Sequence, residues 1–225
     1  MPKKLSRPRE RTAEKPPGET RERVLDVAEQ LFAERGIDGV SVRDITSAAQ
    51  ANLGAINYHF STKENLIVAV LERRIAPVNA QRMRGLDAAQ KAAPNGVPRL
   101  ETVLEVLFRP EVEQAMDPRL GGATFGKLMA RFFVDPNPAV ERTLHRHFEP
   151  VARRFDGMLM RVMPHLTPED VFWRMHLLIG ALHQSLLLLG RRLPSGKVFR
   201  MDAERYLKRF MAFAVAIFRA PVPKL

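Results

Sequence analysis

The sequence predicts an all-α protein: three short helices at the N-terminal end, a long connecting helix, and a larger helical region over the rest of the chain. Three observations carry this expectation. From Val24 onward apolar residues recur three and four positions apart, the spacing that gathers them on one helix face. Ser, Thr or Asn precedes several of these runs, in some cases with an acidic residue three places later, the signature of a closed helix start. No segment alternates apolar and polar residues as a half-buried strand does.

Residues 1–19 hold four prolines, six basic side chains and, after Met1, only Leu5 as a large aliphatic, so a disordered basic arm is expected. It reads as a solvated tail before a reader of any specific partner. From Thr20, the positions Val24, Ala28, Leu31 and Phe32 make a first helix, which Gly36 stops in a left-handed conformation. Ser41 and Asp44 form a capping box for a second helix ending near Ala49, with Val40 and Ile45 as its hydrophobic staple. After a turn at Gln50-Ala51, Asn52 caps a third short helix to Tyr58, with Leu53 and Ile56 expected to point inward. Two short helices a few residues apart form a helix-turn-helix, here within residues 20–78. Ser61 and Glu64 read as another capping box, opening a long helix through Leu66, Val70, Leu71 and Ile75 toward Ala89.

A loop rich in Pro and Gly at 92–98 precedes helices expected at 99–116, 122–134, 137–163, 168–189 and 202–219. Pro150 should kink the third of these, because it lacks a backbone donor and clashes with the preceding turn. Thr167-Pro168-Glu169-Asp170 is a strong start signal, combining a cap, a first-turn proline and acids at the positive helix end.

At 225 residues the chain can bury a substantial core, and it contains no cysteine, which excludes thiol catalysis and thiolate metal sites and fits a reducing, cytoplasmic setting. The net charge of +11 favours anionic partners. It is unevenly distributed, at +2 over residues 1–78 and +9 over 79–225. No apolar stretch follows the basic start before Val24, so no secretory signal is expected. The apolar charge-free run of 16 residues between Arg174 and Arg191 is too short and too polar to span a bilayer, so no membrane partner is expected.

The stretch Ser41-Val-Arg-Asp-Ile-Thr-Ser-Ala-Ala-Gln-Ala-Asn-Leu-Gly-Ala-Ile-Asn-Tyr-His-Phe60, followed by Ser61-Thr-Lys63-Glu64-Asn-Leu66, resembles the DNA-binding domain of tetracycline-repressor-like transcription regulators over about residues 20–70. The resemblance implies that the first helix braces the pair, the second crosses the phosphate backbone and the third enters the major groove of operator DNA. A long helix would then lead to a ligand-binding, dimer-forming helical domain, residues 79–225. In the short third helix Asn52, Leu53, Gly54 and Ala55 can approach base edges. Arg43 reaches a guanine or a phosphate, while Tyr58, His59 and Lys63 occupy family positions that hold phosphates and set register. Two positions depart from the family pattern. Gln50 replaces the usual turn glycine, requiring either an ordinary turn or a strained left-handed residue, and Asn57 replaces the usual tyrosine. The Asn57 amide could read adenine.

This motif, and the segment Leu166-Thr-Pro-Glu-Asp-Val-Phe-Trp-Arg-Met-His-Leu-Leu-Ile-Gly-Ala181, look like the branch that includes fatty-acid-responsive repressors. The expected effector is accordingly hydrophobic or amphipathic: a long-chain fatty acid or acyl-coenzyme A, or an unrelated hydrophobic molecule. Flexible side chains such as Met129 and Met175 suit an alkyl chain. Arg131, Arg153 or Arg174 would take an anionic head group, Arg174 first because it interrupts an apolar helix. His176, with His183 on the same helix face, reads first as a core or interface residue and second as a ligand contact. The helix from Val171 to Leu189 is apolar nearly all round, so a homodimer seam through 168–189 and 202–219 is expected, with Leu187 in it. Glu141, His145 and Glu149 share a face as metal ligands can, but Arg142, Arg146 and Arg153 beside them favour solvated ion pairs. No metal site, cofactor or enzyme chemistry is expected. The competing classes are a lipid-binding module with incidental DNA contact, told apart by failure of any defined DNA to compete, and a bundle enzyme, told apart by metal analysis.

Overall fold

The computed structural model describes residues 17–132, 137–192 and 194–222. Most of the expected basic arm, 1–16, lies outside these residues. Its last three positions fall inside the first helix, α1 (Pro17–Arg35). There follow α2 (Val42–Ala48), α3 (Leu53–Phe60) and the long α4 (Lys63–Ala92). Beyond a 3-10 turn at Pro94–Gly96 come α5 (Leu100–Met116), a second 3-10 turn at Pro118–Leu120, α6 (Gly122–Phe132), α7 (Pro138–Val162), α8 (Pro168–Leu188) and α9 (Ala203–Arg219). Among the described residues the one departure from helix and loop is an isolated antiparallel bridge between Arg192 and Val198.

The starts of these helices follow the local chemistry of the sequence. Ser41 and Asp44 close α2 reciprocally, at 3.1 Å from the Asp44 amide to Ser41 Oγ and 2.8 Å from the Ser41 amide to Asp44 Oδ2. Thr167 and Asp170 close α8 in the same way. At α4 the cap is Thr62, whose Oγ1 accepts from the Asn65 amide at 3.1 Å, and not the expected Ser61–Glu64 box. Ser61 instead ends α3 with φ 64°, so its own backbone makes the turn and the next residue inherits the cap.

The α1–α3 unit is built around Val24, Leu25, Phe32, Ile45, Ile56 and Phe60, all buried. Helix α4 leaves this unit and enters the bundle, packing on α5 and α7, while α6 returns to touch α1. A boundary expected after residue 78 therefore falls inside a continuous helix.

Three prolines inside helices shape the bundle. Pro77 in α4, Pro110 in α5 and Pro150 in α7 each lack an N–H and crowd the preceding turn, which opens carbonyls there. In every case the carbonyl three residues before the proline accepts from a buried side chain of another helix. Gln114 Nε2 donates to the Arg74 carbonyl at 3.3 Å, Arg82 Nε to Leu107 at 2.7 Å and Asn79 Nδ2 to His147 at 2.8 Å. The prolines thus supply acceptors that tie α4, α5 and α7 together.

Candidate DNA-reading face and effector cavity

Helix α3 presents a face to solvent. Tyr58 is 79% exposed and Leu53 55%, with Asn52, Gly54 and Asn57 also exposed and Ala55 and His59 partly so. The helical spacing placed Leu53 inward and the family resemblance placed it near base edges; it is exposed, and Ile56 and Phe60 are the buried residues of the helix. Asn52 caps the helix, its Oδ1 accepting from the Ala55 amide at 2.7 Å, which leaves its Nδ2 for other contacts. A side chain at Gly54 would sit 3.3 Å from that Oδ1, so glycine here leaves the cap room. Arg43 stands exposed at the start of α2. Gln50 carries the turn between α2 and α3 at φ 48°, so the left-handed alternative is realised.

Two cations hold the reading pair to its brace. Lys63 Nζ donates to the Ile37 carbonyl at 2.7 Å and Arg23 Nε to the Ala49 carbonyl at 2.7 Å. Lys63 is half-buried by this contact and retains two further N–H bonds beside the exposed start of α4.

In the bundle, α4, α5, α7 and α8 enclose a cavity of about 430 Å³. Its apolar wall includes Leu107, Phe108, Phe148, Phe155, Met175 and Ile179. Two stripes with the same helical spacing face it: His145, Glu149, Ala152 and Asp156 on α7, and Phe172, His176, Ile179 and His183 on α8. The sequence singled out His145 and Glu149 as part of a solvated face. Glu149 does pair with Arg153, yet His145 and Glu149 line the cavity. The His176 and Phe172 rings lie tilted at 3.8 Å between centroids.

At the inner end His183, expected as a core or interface residue, meets Arg82 and Glu111, which were not among the expected site residues. Arg82 Nη2 lies 2.5 Å from Glu111 Oε2, and His183 Nε2 lies 2.7 Å from Glu111 Oε1. Burial works to raise the Glu111 pKa, but the His183 hydrogen bond and the Arg82 charge outweigh it and hold the carboxyl down at about 2. Each residue sits where the spacing of its helix calls for an apolar side chain, Arg82 after Val78 and before Leu86, Glu111 after Leu107 and Phe108. That conflict was the available signal.

The arginines expected to hold an anionic head group are engaged elsewhere. Arg174 is buried and donates to the carbonyls of Ile217, Phe218 and Ala220 at 2.7, 2.6 and 2.9 Å, closing the C-terminal end of α9, where a cation suits the helix dipole. Arg131 does the same for α1, donating to Ala33 and Glu34 at 2.9 Å each, and so fastens α6 to the reading unit. Arg153 points outward to Glu149. Met129 belongs to the core and does not line the cavity, whereas Met175 and His176 do. The α1 unit is further tied to the bundle by buried Glu29, 2.5 Å from Arg73 and 2.8 Å from Arg74, with Arg74 also donating to Leu120 at 2.9 Å. Among the described residues no cluster of three His, Asp or Glu could hold a metal ion, and no helix is long and apolar enough to cross a membrane.

Two family models match the chain. One, described as bacterial regulatory proteins of the tetR family, covers residues 24–70, and the other, a tetracyclin repressor-like C-terminal domain, covers 105–216. The chain is 35% identical over 100 residues to the HTH-type transcriptional repressor AcnR of Corynebacterium diphtheriae, spanning 44% of this chain and 46% of that one. It is 43% identical over 51 residues to the repressor KstR2 of Rhodococcus jostii, 23% of this chain and 25% of that one. These alignments cover less than half of the curated relatives. Among solved structures, the fatty acid degradation regulator FadR of Bacillus halodurans superposes with a TM-score of 0.64 at 16% identity, over 92% of this chain and 100% of that one. A TetR-family regulator of Streptomyces coelicolor does so at 0.59 and 22%, over 91% and 90%. Identity that low speaks to fold alone. With one model on the reading unit and the other on the bundle, the chain belongs to the tetracycline-repressor (TetR) family of bacterial regulatory proteins.

Proposed function

We propose that the chain is a homodimeric, effector-responsive repressor of transcription, acting in the cytoplasm. Its α3 helices would read two half-sites of operator DNA, and its bundle cavity would take the effector. The exposed α3 face carries this reading: nothing in the chain's own core uses Tyr58, Asn57 or Leu53. A dimer seam on α8 and α9 is supported by Trp173 at 59% and Leu177 at 60% exposure on α8 and by Phe213 on α9, a large apolar area for water to cover. Leu187, the expected seam residue, is half-buried within the chain, so Leu177 is the better seam position.

Helix α4 runs from the reading unit to the cavity, with Lys63 at one end and Arg82 near the other. An effector that binds one arrangement of α4 more tightly than another would shift the spacing of the two reading heads. A fatty acid or acyl thioester as effector has in its favour the apolar wall, the segment Leu166–Ala181 and a fold neighbour that regulates fatty acid degradation. The free carboxylate form has the lining charges against it. Asn57→Ala tests the DNA reading: discrimination should fall at one base of each half-site by about 1–3 kcal/mol, as loss of a bidentate amide contact implies. Identical base preferences at every position would remove Asn57 from the readers.

A further inference from the structure

The ionisable groups that line the cavity are three carboxylates, Glu111, Glu149 and Asp156, one guanidinium, Arg82, and three imidazoles, His145, His176 and His183. Two of the three carboxylates are answered. Glu111 is held by Arg82 and His183, and Glu149 pairs with Arg153. Asp156 is not: among the described residues it makes neither an ion pair nor a hydrogen bond, and it is half-buried on the α7 wall. Burial pushes its pKa up, and His176 across the gap on α8 only partly offsets this. A half-buried carboxylate that accepts no hydrogen bond and has only the His176 imidazole facing it gains when a further positive charge arrives.

Aromatic rings line the same cavity: Phe155 and Phe148 on α7, and Phe172 on α8, whose ring lies tilted on that of His176. Ring faces together with an acid attract an organic cation through the ring quadrupole and through direct pairing. An anionic head group would meet Asp156 and Glu149, while the one lining guanidinium, Arg82, is already engaged by Glu111, Asn79 and the Leu107 carbonyl. At about 430 Å³ the cavity falls in the size range of small-molecule sites.

We propose that this cavity takes a cationic amphipath, an ammonium or amidinium group on an apolar body, with the cation at Asp156 and the body among Phe108, Phe148, Phe155 and Met175. This rests on the reading of the cavity as the effector site and names the ligand's chemical class. The head group of the ligand is therefore opposite in charge to a fatty acid.

The test uses three probes of equal chain length below their micelle or solubility limits: decylammonium, decanol and decanoate. The chain's single tryptophan, Trp173, has its ring 6.2 Å from that of Phe172 and reports binding by fluorescence in DNA-free protein. The cation should bind saturably and at least about tenfold more tightly than decanoate, the scale of one charged hydrogen-bonding contact. Asp156→Asn, close in size and shape, should weaken the cation by about tenfold and leave decanol unchanged. Decanoate binding as tightly as the cation, no saturable binding of the cation, or an Asp156→Asn variant with unaltered cation affinity would overturn the proposal. Operator release is measured separately. A cation that binds in an Asp156-dependent way without releasing operator would refute the effector reading and leave the cation site standing.

Discussion

Arg43 on α2 and Arg174 on α8 are both arginines close to a helix start, yet the first stands in solvent and the second is buried against three carbonyls of α9. The same division runs through the two halves of the molecule. In the reading unit Arg43, Asn52, Asn57 and Tyr58 are exposed, with the starts of α2 and α3 closed by near neighbours in sequence. In the bundle the polar side chains at core positions, Asn79, Arg82, Gln114 and Arg174, reach carbonyls 25 to 68 residues away. Exposed polar groups are available to a partner. Buried ones are structural joints, and a ligand argument built on their type alone goes astray, as it did for Arg131 and Arg174.

That contrast can be broken first where it is strongest. Glu111→Ala leaves the Arg82 guanidinium buried without its counter-charge, and unfolding in urea should show a loss of about 3–5 kcal/mol. The same residue sets a pH response. Its folded pKa lies below that of an ordinary carboxylate, so its contribution is complete above the usual carboxylate range and is lost as pH falls toward about 2. Acid titration of the native protein should show this limb, and Glu111→Gln should lack it. A loss below about 1 kcal/mol for Glu111→Ala would mean the buried pair is no joint at all.

The reading unit offers the smaller effect with the opposite sign. Gln50 holds a left-handed conformation that costs a non-glycine residue about 1 kcal/mol, so Gln50→Gly should raise the thermal midpoint by that equivalent without touching the α3 face. Unaltered or lowered stability would show that the Gln50 side chain repays its own strain.

How much was legible follows from where the partner of each group lies. The helix-turn-helix was readable because Ser41–Asp44, Asn52–Ala55 and the left-handed Gly36 are contacts within a few residues, and the residues for the outer face came with the motif. Its errors were local: Thr62 took the cap from Ser61, and Leu53, in the first turn of α3, lies exposed while Ile56 and Phe60 are buried. In the bundle, apolar periodicity located the helices but not the cavity. Its inner wall depends on Arg82, Glu111 and His183 meeting from α4, α5 and α8, and no spacing along one helix encodes that meeting. The prolines were visible, and the donors that answer them were not, because each donor sits on another helix.

The central claim, that α3 of a two-fold dimer reads DNA sequence, is tested most directly by selecting duplexes from a random pool with the purified full chain. The expected result is an enriched inverted repeat whose half-site centres lie about one helical turn apart or a multiple of it. Enrichment of no sequence above the starting pool, with the protein folded and DNA-free at the outset, would contradict it.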